Sequence, residues 1–457
     1  GDKNIVFLPP NFYFITMNIT RENIDTLNAV VKIDIAKADY SENVEKILAN
    51  YRKTANIPGF RKGQVPMGLV KKQYGKSVLA DEVNKTLQEA LGKYLTDEKL
   101  DVLGSPLPKA QDDLDWSAED FSFEFEIGLS PEFEIKLKAK KALTKYTITA
   151  DKKMIDDQVI NIQKQYGKLV TKTVVANEDE VTGVFFNDAE GIEATATLTL
   201  DKLKGKSNLN AFLGANVDDV LTLKTKGLFK DAQDLMTYLK VDHDTADGLD
   251  VQVTFTINEV NTRELADLDQ ELFDKLFGPG VVTSVTELRT KITEDAEKQF
   301  VQQADQKFLN DVTEYLVENT KFDLPVAFLQ KWIQTAGETE LNEEQAKEEF
   351  EKSEKSMRYQ LIESKLVVDN NLQVNFEDLK AYTSEMIKGQ MAQYGQMNPT
   401  EKEIDDIVAR VLSNQEEVKR ISEQLTSQKL LEFYKENANF KDKKLTYEAF
   451  VKEVYGK

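Results

Sequence analysis

The stretch Asn56-Ile57-Pro58-Gly59-Phe60-Arg61-Lys62-Gly63-Gln64-Val65-Pro66 constrains this chain more than any other. A proline stands near each end and two glycines lie between them, so neither a helix nor a strand can run through it. Gly59 ends whatever helix precedes it. Pro66 can open a new one, because its missing N–H costs nothing in a first turn. A loop must form here, and it carries an aromatic residue and two adjacent cations, Phe60, Arg61 and Lys62. From Lys46 to Ala80 there are eight Lys or Arg residues and no Asp or Glu, whereas the whole chain has a formal charge of −21. A basic island in an acidic protein either meets a polyanionic partner or is a solvated surface loop that merely lacks acids. Charge alone leaves both readings open.

The flanks are amphipathic. Leu27, Ala29, Val31, Ile33 and Ile35 alternate with mostly polar neighbours, which predicts a half-buried strand. Asp39, with Glu42 three residues on, resembles a capping box, and the helix it predicts carries Val44, Ile47, Leu48 and Tyr51 on one face. After the loop, Pro66 predicts one helix start. Ser77 predicts the cap of a longer helix with Val83, Leu87, Ala90, Leu91 and Leu95 in a stripe. Phe121, Phe123, Phe125 and Ile127 alternate in a closing strand. Residues 17–130 therefore read as an α+β domain that presents the loop between two helices. In that setting Arg61 can fork onto phosphate while Lys62 acts as a point charge. Phe60 inserts into a protein groove, stacks on a base, or plugs its own helix pair.

Gly59-Phe60-Arg61-Lys62-Gly63-Gln64-Val65-Pro66, followed by Tyr74-Gly75 and a long helix, resembles the Gly-Phe-Arg-Lys-Gly-x-x-Pro loop of the ribosome-binding domain of bacterial trigger factors. The resemblance implies docking on the large ribosomal subunit, protein and rRNA, beside the nascent-chain exit tunnel. Gly59, Phe60, Arg61, Lys62 and Gly63 would be the contact residues.

At 457 residues the chain is too long for one core. Its 30% charged and 40% apolar residues place it among soluble globular proteins. No apolar run reaches the roughly 18 residues of a membrane-spanning helix. Cysteine is absent, which excludes a disulfide framework, a thiol nucleophile and a thiolate metal site. His243, the single histidine, sits in an Asp-rich turn and reads as an ordinary surface residue. No glycine spacing suits a phosphate loop, and neither cofactor nor metal is expected. Residues 1–16 contain Pro9 and Pro10, start acidic and lack a small-residue cleavage site. They read as an extension before Met17 rather than a secretory signal, which leaves the cytoplasm as the expected compartment.

Residues 131–150 form a Lys-rich linker marked by Pro131. Residues 151–262 open with a helical pattern at Met154, Ile155, Val159, Ile162 and Tyr166, with Asp151 as its cap, and then turn β-rich. Val181 to Phe186, Phe212-Leu213-Gly214-Ala215 and Asn258-Glu259-Val260 resemble landmarks of an FKBP-type prolyl isomerase domain, which trigger factors carry at this place in their order. The likeness is divergent. Where intact sites of the family have an Asp, this chain has Val184, and the Ile-Pro-Gly-Phe segment is shortened. Phe185, Phe186, Phe212 and Phe229 are the candidate remnants of an aromatic pocket, and each is equally a core candidate. Weak or lost peptidyl-prolyl isomerase activity is expected, with an active isomerase as the alternative function. No catalytic residue is assigned.

Residues 263–457 read as an all-α chaperone domain. Ile404, Ile407, Val408, Val411 and Leu412 follow helical spacing. With 26 Lys or Arg against 39 Asp or Glu, a net of −13, this part is not expected to bind nucleic acid. Met386, Ile387, Met391, Tyr394 and Met397 form either a promiscuous contact patch for substrates or a helix–helix seam. The whole chain is expected to be an ATP-independent chaperone, partly ribosome-associated, whose partners are the ribosome and nascent or unfolded polypeptides. Neither DNA nor membrane insertion is expected, and dimerisation of the free chain is left open.

Overall fold

A computed structural model describes residues 17–396 and 398–456, so the expected extension at 1–16 lies outside the described residues. The chain opens with β1 (Asn18–Asn23), β2 (Asn28–Ile35), α1 (Lys37–Thr54), α2 (Met67–Asp97), β3 (Val102–Pro108) and β4 (Phe121–Leu129). Next come β5 (Leu143–Thr149), α3 (Lys152–Gln165), β6 (Lys168–Lys172), β7 (Glu180–Asn187), β8 (Ile192–Thr199), α4 (Gly205–Phe212) and β9 (Val220–Lys224). α5 (Ala232–Leu239), α6 (His243–Ala246), β10 (Gln252–Glu264), α7 (Gln270–Phe277) and α8 (Val285–Asn319) follow. The chain closes with α9 (Val326–Ala336), α10 (Glu343–Asp369), α11 (Phe376–Gln393), α12 (Glu401–Leu412), α13 (Gln415–Asn437), β11 (Phe440–Thr446) and α14 (Tyr447–Tyr455). Two compact units result. One combines the residues up to 143 with 309–440, and the other combines 144–308 with those from 441 on.

In the first unit an antiparallel sheet runs β1-β2-β4-β3. The predicted alternation of β2 buries Ala29, Val31, Ile33 and Ile35 against Val83, Leu87 and Leu91 of α2. Each of the Val, Ile and Leu side chains contributes roughly 1.5–3 kcal/mol when fully buried. The cap of α1 lies three residues before the expected one. Ala36 is its N-cap, and Asp39 lies inside the first turn, where its carboxylate accepts the Ala36 N–H at 2.7 Å. α2 runs unbroken through Ser77, because the buried stripe Val70, Val78, Val83, Leu87 and Leu91 continues on both sides of that residue.

The same unit holds helices of the C-terminal part. Phe328 and Leu329 of α9 pack with Leu324, Phe350 of α10, and Leu103 and Leu107 of β3. Helix starts are well signalled here. Asn342/Gln345, Asn375/Asp378 and Thr400/Glu403 each form a reciprocal capping box.

The second unit holds a sheet ordered β6-β10-β7-β8, with β9 also pairing β10, and a bulge between Ile257 and Glu259. Inward residues of these strands close over α4 and α5. Asp179, 1% exposed, accepts Lys172 Nζ at 2.8 Å and the Ala176 N–H at 2.7 Å. β5, hidden in the Lys-rich linker, pairs with β11, which interrupts the helices near the C-terminal end. Ile148, Phe300 and Phe450 pack together beside that ribbon.

Candidate functional site

The basic loop stands on a small core of its own. Leu48 of α1 and Val70 and Val78 of α2 bury Val65 completely, with Ile57 packed beside it. Tyr51 and Tyr74 meet edge to face across the same helix pair, ring centroids 5.3 Å apart. Arg52 Nε donates to the Val65 carbonyl at 2.8 Å and ties the loop's end back to α1. The plug is therefore Val65, with Ile57 at its side, and Phe60 is not part of that cluster. These anchors were not foreseen from the sequence, where apolar residues flanking the glycines were the available signal.

Between the anchors the backbone makes two consecutive β-turns. The Phe60 N–H donates to Ile57 O at 3.1 Å, and the Gln64 N–H to Arg61 O at 2.9 Å. Gly59, with φ +91°, and Gly63, with φ +81°, hold the third position of each turn. A turn of this type demands positive φ there, and a proline such as Pro58 suits its second position. Phe60, Arg61 and Lys62 stand where the first turn hands over to the second, and all three are exposed, Phe60 by 42%.

The charge around the turns is uneven. Lys46 pairs with Glu42 at 2.6 Å and Lys71 with Glu45 at 2.7 Å, both acids lying just outside the acid-free window. Among the described residues Arg61 and Lys62 have no acidic partner. Two adjacent uncompensated cations beside an exposed ring suit a polyanion that also offers an apolar or stacking surface.

The aromatic candidates of the second unit are differently placed. Phe185 and Phe212 are fully buried and Phe229 is nearly so. Phe255 of β10, not foreseen as a site residue, lies 4.5 Å from Phe185 and 5.4 Å from Phe212 between ring centroids. Phe186 faces the other way and is half exposed. Val184 lies on that outer face too, opposite Thr195 on one side and Thr256 on the other. A cavity of about 840 Å³ opens beside Leu228, Phe229, Leu235 and His243, and of the four candidate phenylalanines only Phe229 lines it.

In α11, Ile387 is buried and Met391 packs with it against Ile404 and Val408 of α12, while Met386 is half-buried. Tyr394, 88% exposed, ends that helix, and Met397 lies outside the described residues. Among the described residues no group of acidic or histidine side chains could hold a metal ion, and no helix is long and apolar enough to cross a membrane.

Three family models match the chain in order. The bacterial trigger factor protein model covers residues 17–162, the FKBP-like domain of probable trigger factors 169–265, and their C-terminal domain 304–454. Trigger factor of Marinobacter nauticus is 24% identical over 95% of this chain and 98% of its own length. Those of Brucella abortus and Treponema denticola are 25% and 23% identical, over 96% and 93% of this chain and 94% and 97% of their own lengths. A solved structure titled "Promiscuous Substrate Recognition in Folding and Assembly Activities of the Trigger Factor Chaperone" covers 92% of this chain and 100% of its own at 15% identity, with a TM-score of 0.49. The three domain models in this order define a ribosome-associated chaperone with an FKBP-like domain. The chain belongs to the trigger factor family.

Proposed function

We propose that Phe60, Arg61 and Lys62 dock this chaperone on the large ribosomal subunit beside the exit tunnel, with Gly59 and Gly63 holding the turns that present them. The observation that carries the reading is the double turn, which exposes one aromatic ring and two unpaired cations on a rigid helical base. Arg61 meets an rRNA phosphate through its fork, Lys62 adds a point charge, and Phe60 fills an apolar groove of a ribosomal protein. Tethered in the cytoplasm at the tunnel, the chain meets nascent segments before they fold. Transient apolar contacts then delay their burial without nucleotide, and the client leaves when its own folding competes.

Co-sedimentation of Phe60→Ala/Arg61→Ala/Lys62→Ala with ribosomes tests the docking. Binding is expected to fall to background while the thermal melt stays in place. Unchanged binding would overturn the assignment.

A working prolyl isomerase is the second reading, and the geometry disfavours it. Phe185 and Phe212 have no exposed surface to offer an amide, and Val184 stands on the opposite face of the sheet.

A further inference from the structure

The connector between β4 and β5 lies in the first unit as an extended strap. From Pro131 to Ala139 its residues alternate between inward and exposed, with the two-residue period of a strand. Phe133 stacks on Phe322 with ring centroids 4.3 Å apart, and Ile135 and Leu137 face inward between exposed Glu134, Lys136 and Lys138. Both ends are pinned. The Ser130 N–H donates to Asp101 O at 2.9 Å, and Asn439 Nδ2 donates to Ala139 O at 2.8 Å. Between those pins no N–H from Glu132 to Lys138 has a partner among the described residues. A strand-like segment without a neighbouring strand offers a ladder edge, and backbone groups of that kind find a partner in any extended chain laid alongside.

Two cavities of about 690 and 610 Å³ follow the strap, one along residues 130–134 and the next along 135–138. They share Lys365 and Asp369 of α10 as a wall, so they form one continuous groove between an extended backbone and a helix. Leu361 and Val368 line the first cavity, and Leu366 and Phe433 the second. Ser130 Oγ, at the head of the first, is buried without a hydrogen-bond partner. Apolar walls flanked by unpaired backbone suit an extended polypeptide whose alternate side chains are apolar. A helix would satisfy its own backbone groups and leave those of the strap unpaired.

We infer that residues 131–138 take an extended segment of an unfolded client as an added β-strand, its apolar side chains filling the groove beside α10. The inference rests on the chaperone reading and specifies how one client segment is held. Client side chains enter the two cavities, while backbone hydrogen bonds supply affinity that is indifferent to sequence, as a chaperone requires.

Amide hydrogen exchange on the full chain tests this, with reduced, carboxymethylated α-lactalbumin as the permanently unfolded probe and its binding followed separately by fluorescence anisotropy. Amides of residues 132–138 are expected to exchange about tenfold or more slowly once the probe is bound. Val368→Glu places a charge at the groove mouth on a residue already 61% exposed, so the fold is kept and the protection should vanish. Probe binding with unaltered exchange at 132–138, or protection that Val368→Glu leaves in place, overturns the strap assignment alone. No probe binding at all overturns the chaperone reading, and this inference with it.

Discussion

Gly128 of β4 faces Phe328 of α9 so closely that a Cβ on Gly128 would lie 2.5 Å from the ring's Cδ1. Next to it in the sheet, a Cβ on Gly104 of β3 would lie 2.7 Å from Trp332. Gly128 has no positive φ to accommodate, so its lack of a side chain serves the packing alone. The N-terminal sheet and α9 thus lock through ring-on-backbone contacts inside one unit. Gly128→Ala is expected to destabilise that unit by about 1–3 kcal/mol through overpacking. Adding Phe328→Ala should give a double variant that loses clearly less than the two single losses combined. Urea denaturation of the four proteins measures this, and strict additivity would contradict the lock.

The loop's geometry predicts a split between binding and stability. A Cβ on Gly63 meets nothing within 4 Å, so Gly63→Ala suffers only from its φ of +81°. That strain is worth about 1–2 kcal/mol, and an exposed turn relieves it by changing shape. Ribosome affinity is expected to fall about tenfold while the urea midpoint barely moves. Gly68→Ala, in the first turn of α2 with ordinary φ and open space, is the control and should leave affinity unchanged.

Much of this was legible locally, and the remainder was not, for identifiable reasons. Gly59, Gly63 and Pro66 announce a loop whatever surrounds them, and the alternation of Val31, Ile33 and Ile35 survives because one face of β2 is buried. The false break at Ser77 arose because a serine is a good cap in isolation, yet the stripe from Val70 to Leu91 keeps α2 whole. β1 (NITREN) and β11 (FKDKKLT) are mostly exposed edge strands and carry no apolar alternation to read. β11 finds β5 some 300 residues away, a pairing that no local pattern encodes. In the aromatic set, residue type could not separate a pocket wall from a core. Only the burial of Phe185 and Phe212 around Phe255 does so.

Acid should weaken the second unit through Asp179. Burial raises its carboxyl's pKa, but the hydrogen bonds from Lys172 and the Ala176 N–H outweigh that, so the net value lies below the ordinary 3.8. A depressed carboxylate contributes stability that is present above pH 3.8 and lost as pH falls through the folded-state value. Asp179→Asn is expected to cost about 1–3 kcal/mol at neutral pH, and the difference from the parent should shrink toward strong acid. Chemical denaturation as a function of pH follows it, and a gap independent of pH would contradict the assignment.

Glu363 of α10 should behave in the opposite sense. Burial, then the like charge of Glu423 on α13, raises its carboxyl above the ordinary 4.5, beside Tyr434 and Tyr359, whose hydroxyls lie 3.4 Å apart. Its favourable contribution is complete below pH 4.5 and is lost as pH rises through the raised value. Glu363→Gln is therefore expected to stabilise the first unit at pH 7, by no more than about 1 kcal/mol given partial solvent screening. Below pH 4.5 it should be neutral. A destabilised variant at pH 7 would show that the carboxylate is held by a partner rather than strained by its surroundings.

The sealed aromatic core makes a last prediction about catalysis. Prolyl isomerisation must cross a barrier of about 18–20 kcal/mol, and lowering it requires rings that can enclose the twisting amide away from water. Phe185, Phe212 and Phe255 are all fully buried and packed on one another, so reaching them would require opening the core. Proline-limited refolding of a small protein should therefore proceed at its uncatalysed rate with the full chain present. Phe212→Ala is expected to destabilise the second unit by about 3–5 kcal/mol, the cost of a large ring lost from a core, with no change in that refolding rate. If refolding were accelerated, and if Phe229→Ala at the rim of the 840 Å³ cavity abolished the effect, the active site would be that cavity and not the buried cluster. Loss of stability without loss of rate enhancement, or the reverse, separates a ring that packs from a ring that binds.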